Sequence, residues 1–308
     1  MEKTAFVFPG QGSQSVGMLA ELATEYQIIE QTFREASDVL GYDLWALVQE
    51  GPSETLNETD KTQPALLTAS VAIWRAYTQA QGRLPAILAG HSLGEYSALV
   101  CAGVIDFQAA VKLVQLRGQL MLDAVPAGTG AMYAIIGLDN DSIDEACHEA
   151  SQGAVVSPVN FNSPGQVVIA GEKEAVARAA ILCKEKGAKK AMPLAVSVPS
   201  HCALMKPAAD KLAEALTEVE FKAPLINVVN NVDVSVAQSS EAIKDALVRQ
   251  LYCPVRWTET VEQFAKNGIE RLFEIGPGKV LTGLTKRIDR SISAQAINDV
   301  ASFSALTE

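Results

Sequence analysis

The chain has 308 residues, of which 48% are hydrophobic and 20% are charged, a balance typical of a globular protein with a sizeable core. Its net charge is −11, and an acidic surface repels phosphate backbones, so we expect no nucleic-acid partner. No apolar run is long enough to cross a bilayer, and the N-terminal apolar stretch is too short for a signal-peptide core, which predicts a cytoplasmic protein without a membrane partner.

Cysteine and histidine usage predicts neither a disulfide framework nor a metal site. The five cysteines are odd in number and widely spaced, with no C-x-x-C pair. The three histidines do not lie at metal-ligand spacing from one another. We therefore expect free thiols, no metal and no cofactor.

Short apolar strands alternate with helical patterns in the first part of the chain, as in an α/β fold with a mostly parallel sheet. Strands are predicted at Thr4–Pro9 and Ala86–Gly90, and helices at Gln63–Gln81, Leu93–Cys101 and Phe107–Asp123. Two further core strands are predicted near the C-terminus, at Leu225–Val232 and Arg271–Gly276.

Residues 127–200 have a different order of elements. Strands are predicted within 131–137, 154–161, 165–171 and 189–197, and helices within 142–150 and 172–187. The resulting order β-α-β-β-α-β is ferredoxin-like. We predict a small ferredoxin-like domain at 127–200, inserted into a large α/β domain made of 1–126 and 201–308, with the ligand site between the two.

One candidate nucleophile stands out in the segment Gly90-His91-Ser92-Leu93-Gly94, which matches G-x-S-x-G between a predicted strand and a predicted helix. A serine on such a sharp turn presents its Oγ as a nucleophile. The helix that follows offers unpaired N–H groups, so the Leu93 N–H is the predicted first donor of an oxyanion hole. The alternative is that Ser92 only caps the helix.

Three histidines compete for the role of the base. His91 adjoins the serine, so its side chain should point away from the Ser92 Oγ, and His148 lies among carboxylates, as on a solvated helix face. By elimination we predict that His201, at the end of the inserted segment, is the base. No acidic residue is marked as its partner, and a backbone carbonyl remains an alternative.

The loop PGQGSQ at 9–14 follows the first predicted strand. It matches neither the dinucleotide fingerprint nor the P-loop, but a strand's carboxyl end is where α/β sites form. Gln11 is therefore a candidate for the second oxyanion donor. An ordinary tight turn is the alternative.

Arg117 interrupts an apolar helix beside Leu116, Leu120 and Met121. Such an arginine commonly extends to solvent. If its guanidinium is instead buried near Ser92, it needs an anionic partner, and an acyl group with a free carboxylate would supply one.

Seven motifs, in order and spread over nearly the whole chain, carry a family resemblance. They are GQGSQ at 10–14, QPALLTAS at 63–70, GHSLGEYSAL at 90–99, Arg117, NFNSPGQVVIAG at 160–171, VPSHCALM at 198–205 and EIGPGKVL at 274–281. Together they resemble the malonyl-CoA:acyl carrier protein transacylases of bacterial fatty acid synthesis.

The resemblance implies an α/β-hydrolase-like large domain and the ferredoxin-like insertion. It implies that Ser92 is acylated, that His201 is the base, and that the main-chain carbonyl of Gln250 orients His201. It implies further roles in substrate binding. Gln11 and Leu93 would form the oxyanion hole, Arg117 would bind the malonyl carboxylate, and Gln63, Met121, Asn160 and Asn162 would line the cleft.

The implied reaction is malonyl transfer from malonyl-CoA to the phosphopantetheine thiol of acyl carrier protein, through a malonyl-serine, without metal or cofactor. One rival is a serine hydrolase, which would use the same Ser92 and His201 but let water attack. A second rival is a protein that binds an acyl or coenzyme A ligand without reacting.

Overall fold

The structure is a computed structural model that describes residues 3–196 and 198–307. The strands within these residues are Lys3–Phe8 (β1), Ile87–Gly90 (β2), Gly130–Ile136 (β3), Val156–Ser163 (β4), Gln166–Glu172 (β5), Lys190–Pro193 (β6), Val228–Val229 (β7), Ile269–Ile275 (β8) and Ser293–Ile297 (β9).

The helices fall into three stretches of the chain. The first stretch holds Ala20–Glu25 (α1), Ile28–Leu40 (α2), Leu44–Glu50 (α3), Ser53–Leu56 (α4), Thr59–Gln79 (α5), Leu93–Cys101 (α6) and Phe107–Asp123 (α7). The middle stretch holds Asn140–Ser151 (α8) and Lys173–Glu185 (α9). The last holds Lys206–Thr217 (α10), Ser240–Gln250 (α11), Trp257–Lys266 (α12), Val280–Ile288 (α13) and Val300–Thr307 (α14), with a 3₁₀ turn at Ala203–Met205.

A five-stranded parallel sheet forms the centre of the large part of the molecule, in the order β7-β2-β1-β8-β9. Alternate residues of β1 enter two different cores: Phe6 and Phe8 pack on one face, and Ala5 and Val7 on the other. Helices cover both faces, which explains why β1 is a continuous apolar run rather than an alternating one. The carboxyl ends of β1 and β2 lie side by side at one edge of this sheet.

A four-stranded antiparallel sheet, in the order β4-β5-β3-β6, forms the centre of the small part of the molecule. Helices α8 and α9 bury their apolar faces on one side of it, around Ile135, Ile143 and Val176. On its other side, Met132 and Val168 pack against Cys202. The predicted class, an α/β fold with a parallel sheet and a ferredoxin-like second sheet, is confirmed. All four strands fall within the predicted insertion at 127–200.

Strand β4 joins the small sheet to the large part of the molecule. The Phe161 N–H donates to the Val255 carbonyl at 3.0 Å, and the Val255 N–H donates to the Val159 carbonyl at 2.8 Å. The Arg287 guanidinium adds a 2.6 Å bond to the Gln166 side chain. These contacts hold one end of the small sheet beside the edge where β1 and β2 end.

Two predicted strands are shorter than expected. The segment predicted at Leu225–Val232 pairs only at Val228–Val229: Leu225 is 84% exposed, and the Asn230 side chain binds the Asp233 N–H in a turn. The strand predicted within 189–197 ends at Pro193, and the last residue of that range lies outside the described residues. Helices α1–α4 and α10–α14 and strand β9 were not predicted.

Candidate active site

Ser92 occupies a sharp turn between β2 and α6. Its backbone has φ 53° and ψ −111°, outside the regions that L-residues favour, and its side chain makes no capping hydrogen bond. Two glycines permit the turn: a Cβ on Gly90 would lie 1.9 Å from the carbonyl of Gly94, and one on Gly94 would lie 2.0 Å from the Phe8 oxygen. The local sequence therefore builds a strained turn whose serine hydroxyl does not cap the helix, and the capping alternative does not describe it.

His201 lies directly against this hydroxyl. Its Nε2 is 2.8 Å from the Ser92 Oγ, and its Nδ1 is 2.6 Å from the main-chain oxygen of Gln250. A carbonyl only accepts, so the Nδ1 carries the proton and the Nε2 is the free acceptor that faces the serine. The structure thus brings together the predicted nucleophile, the predicted base and the predicted orienting carbonyl.

The surroundings of His201 favour its neutral form. Burial, followed by the charge of Arg117 and the neighbouring His91, lowers the pKa of His201 to about 3, although the bond to the Gln250 carbonyl acts in the opposite direction. An imidazole with this pKa is unprotonated at neutral pH. It is ready to accept a proton without first losing one.

Arg117 is buried rather than extended to solvent, with 1% of its surface exposed. Its Nη1 donates to the Gln63 Oε1 at 2.8 Å, and its Nη2 donates to the Gln250 Oε1 at 3.0 Å and to the Ser92 Oγ at 3.3 Å. All three acceptors are neutral, and the buried Nε has no hydrogen-bond partner. Within residues 3–196 and 198–307, no carboxylate forms a direct ion pair with this guanidinium, and Glu95 acts on it only at longer range. Its N–H groups therefore suit an anionic ligand.

A cavity of about 100 Å³ lies above these groups, between the two sheets. It is lined by Gln11, Thr59, His91, Ser92, Leu93, Arg117, Met121, Met132, Asn160, Leu194, Val196, Val198, Ser200 and His201. Leu93 begins α6, where backbone N–H groups have no acceptor within the helix, and Gln11 follows β1 at the neighbouring strand end. Both positions suit donors to an oxygen bound next to Ser92.

Three predicted cleft residues differ in how they reach the cavity. Asn160 lines it directly, and its buried Oδ1 has no hydrogen-bond partner. Gln63 lies behind the cavity, where it accepts from Arg117 and donates to the Met121 sulfur at 3.5 Å. The Asn162 Oδ1 is 2.8 Å from the Nε2 of His91, so it orients the ring of His91, which also lines the cavity.

Two buried residues at the site were not predicted from the sequence. The Asn231 side chain bonds to the Ser92 N–H and to the Gly90 carbonyl, and the Glu95 carboxylate accepts from the backbone of Asn231 and from the Gln250 amide. Burial raises the pKa of Glu95 to about 7, although these bonds and Arg117 act in the opposite direction. Two features of the sequence could have pointed to these residues: Glu95 is an acid inside an apolar helix, and Asn231 belongs to an Asn-Asn pair after an apolar strand.

The rest of the described chain offers no metal centre and no membrane segment. No group of three or more His, Cys, Asp or Glu residues there could hold a metal ion, and all five cysteines are free. None of the described helices is long and apolar enough to cross a membrane.

Comparisons with known proteins agree with this geometry. The model of the acyl transferase domain family matches residues 5–303. A malonyl CoA-acyl carrier protein transacylase from Salmonella typhimurium is 67% identical over 305 residues, covering 99% of each chain. One from Escherichia coli strain K12 is 66% identical over 308 residues, covering 100% of each.

The chain belongs to the malonyl CoA-acyl carrier protein transacylase family. Solved structures share its fold. An acyl carrier protein S-malonyltransferase from Vibrio cholerae is 70% identical, with a TM-score of 0.97 over 99% of each chain. A malonyl-transacylase solved in complex with its type II PKS acyl-carrier protein is 69% identical, with a TM-score of 0.98 over 99% of each chain. The similarity to this family of enzymes therefore extends over nearly the whole chain, including the second sheet.

Proposed function

We propose that this enzyme transfers the malonyl group of malonyl-CoA to the phosphopantetheine thiol of acyl carrier protein, supplying chain-extender units for fatty acid synthesis. The observation that carries this proposal is the buried Arg117 guanidinium, held by neutral side chains beside the Ser92–His201 pair. A nucleophile and base alone would serve any acyl group. A guanidinium with no directly paired carboxylate favours an acyl group that ends in one.

In the first half-reaction, the Ser92 Oγ attacks the thioester carbonyl of malonyl-CoA while the His201 Nε2 accepts the hydroxyl proton. The carbonyl oxygen becomes an oxyanion, which the N–H groups of Leu93 and Gln11 stabilise. One such donor contributes about 3 kcal/mol to the transition state. The carbon–sulfur bond then breaks, coenzyme A leaves with the proton from His201, and the malonyl group remains as an ester on Ser92.

In the second half-reaction, the thiol of the carrier protein gives its proton to the His201 Nε2, and its sulfur attacks the ester carbonyl. The bond to the Ser92 Oγ breaks, and His201 returns the proton to that oxygen. The Nδ1–H···O bond to Gln250 keeps the imidazole in one tautomer through both steps. The malonyl carboxylate stays paired with Arg117 throughout.

The remaining predicted residues have supporting roles in this proposal. Gln63 holds Arg117, Met121 bonds to Gln63 and lines the cavity, and Asn160 offers its unpaired Oδ1 to an N–H of the pantetheine arm. Asn162 acts through His91. We further propose the domain limits 1–126 with 201–308 and 127–200, which follow the two sheets, and a cytoplasmic location, which the five free cysteines support.

Release of coenzyme A with and without acyl carrier protein tests the proposal. Without an acceptor, we expect a single burst of coenzyme A as the malonyl ester forms, and sustained release only after carrier protein is added. Sustained release without acceptor would instead indicate a hydrolase. No release under either condition would indicate a binding protein.

A further inference from the structure

The Asn231 side chain forms hydrogen bonds with the backbone on both sides of the strained turn. Its Oδ1 accepts from the Ser92 N–H at 2.8 Å, and its Nδ2 donates to the Gly90 carbonyl at 2.7 Å. One planar amide thus fixes the peptide groups on both sides of His91. Asn231 follows β7, the neighbour of β2, so adjacent strand ends supply the turn and its support.

The Glu95 carboxylate ties three parts of the site together. Its Oε2 accepts from the Asn231 N–H at 3.0 Å and from the Gln250 Nε2 at 2.8 Å. The backbone N–H of Glu95 also donates to the Ser92 carbonyl at 3.0 Å. Glu95 is 2% exposed and Asn231 is 1% exposed. These bonds are shielded from water, so the geometry that they impose is rigid.

The orientation of the Gln250 amide decides whether Gln250 presents an acceptor or a donor to the Arg117 Nη2. The Nε2 donates to Glu95 and to the Ser92 carbonyl, so the Oε1 must face the Arg117 Nη2. A 180° flip of this amide would place its NH₂ group next to the guanidinium, so that two hydrogen-bond donors would face each other. Three acceptors oppose that rotation, and the Glu95 carboxylate, at 2.8 Å, is nearer to the Nε2 than the Ser92 carbonyl at 3.0 Å or the Asn231 Oδ1 at 3.3 Å.

We propose that Asn231 and Glu95 are positioning residues of this reaction. Asn231 holds the Ser92 Oγ at its distance from His201. Glu95 orients the Gln250 amide and, through it, the guanidinium that pairs with the malonyl carboxylate. The proposal rests on malonyl transfer as the function of the site.

Asn231→Ala tests the first half, with Asn230→Ala as the matched control. The Asn230 side chain accepts from the Asp233 N–H in the turn after β7, which also contains Asn231. It makes no bond to Ser92. Rapid-quench labelling with malonyl-CoA gives a rate constant for acylation and an amplitude that counts folded molecules. A misplacement of a reacting group by about 1 Å can cost about 100-fold in rate. We therefore expect Asn231→Ala to lower the rate constant at saturating malonyl-CoA by about 100-fold with the KM little changed.

Asn230→Ala should keep the wild-type rate constant, whatever its amplitude. A wild-type rate constant in Asn231→Ala would overturn the role of Asn231, and so would an equal loss in both variants. If the wild type itself takes no malonyl label, the proposed function fails instead, and the two failures are thereby distinguished.

Glu95→Met and Glu95→Gln test the second half. Methionine fills a similar volume but offers no strong acceptor, whereas the glutamine oxygen can accept from the same two N–H groups. The readout is the ratio of malonyl to acetyl labelling rates. A hydrogen bond to a charged group changes an equilibrium by about tenfold or more. We expect the ratio to fall about tenfold in Glu95→Met and to stay near wild type in Glu95→Gln.

An unchanged ratio in Glu95→Met would overturn the orienting role, because a merely structural residue slows both acyl groups alike. An equal fall in Glu95→Gln would also overturn it, since the carboxylate charge rather than its position as an acceptor would then be the cause.

Discussion

The two sheets contribute to the site in different ways. The large parallel sheet supplies loop residues at its strand ends: Ser92 follows β2, Gln11 follows β1 and Asn231 follows β7. The small antiparallel sheet supplies residues on its strands, such as Met132 and Asn160, which form a wall of the cavity. The nucleophile comes from the edge where strand ends converge, and the second sheet supplies residues that line the cavity.

The difference is also one of hydrogen bonding. At the edge of the large sheet, Ser92, Gln250 and Asn231 share a closed network of hydrogen bonds around the strained turn. On the small sheet, the Asn160 Oδ1 is buried and unpaired. A closed network fixes geometry before the substrate arrives, whereas an unpaired acceptor is completed by it. Changes at the first should therefore affect the rate, and changes at the second should affect binding.

The largest effect is expected from Ser92→Ala. The variant lacks the attacking oxygen, so malonyl transfer should fall by roughly 10⁴-fold or more. Intact mass spectrometry after exposure to malonyl-CoA should show no adduct. Thermal unfolding provides the control: a melting temperature near that of the wild type shows that the turn still folds. Persistent labelling would place the nucleophile elsewhere.

Arg117→Ala should have the next largest effect, and it should distinguish acyl groups. In the proposed mechanism, loss of the guanidinium removes the partner of the malonyl carboxylate, worth about two charge-assisted hydrogen bonds, whereas an acetyl group has no such contact. Transfer of malonyl should fall about 100-fold more than transfer of acetyl in parallel rate measurements. Equal losses for the two groups would contradict a carboxylate-binding role.

Asn160→Ala should have a smaller effect, confined to binding. The unpaired Oδ1 lines the cavity but contacts neither Ser92 nor His201, so its loss removes about one hydrogen bond to the substrate. The KM for malonyl-CoA should rise by several-fold to about tenfold, with kcat nearly unchanged. A fall in kcat at unchanged KM would remove the distinction between the two sheets.

The smallest effect concerns pH. The pKa of His201 is lowered to about 3, chiefly by burial and then by Arg117, so the neutral base predominates above that value and is lost only as the pH falls through it. Burial raises the pKa of Glu95 to about 7, within the range of interest, so the measurement uses Glu95→Gln, which has no carboxyl group at that position. Its acylation rate in single-turnover experiments should be flat between about pH 5 and 8. A sigmoidal loss centred near the ordinary histidine pKa of about 6.5 would contradict the buried, neutral base.

The sequence predicted the features that depend on neighbours in the chain. The Ser92 turn is one such feature, since the strand, the two glycines and the helix that shape it are local. His201 was reached by elimination among only three histidines. Helices α1–α4 were missed, although Asp43 caps α3 and Gly41 ends α2, both ordinary helix boundary signals.

Features that depend on tertiary contacts were not accessible from the sequence. Whether Arg117 extends to solvent or is buried depends on Gln63 and Gln250, which are 54 and 133 residues away along the chain. Asn231 meets Ser92 across 139 residues and the Glu95 carboxylate across 136. The short pairing of β7 frees Asn231 for this contact, and the apolar run at 225–232 predicted a longer strand instead.

The central claim is that one hydroxyl, Ser92 Oγ, becomes esterified during turnover. Peptide mapping of the enzyme after brief exposure to malonyl-CoA tests it most directly. We expect a malonyl group on the peptide that contains Ser92, which disappears when acyl carrier protein with a free thiol is added. A malonyl group on a different residue, or a label on Ser92 that the carrier protein does not remove, would contradict it.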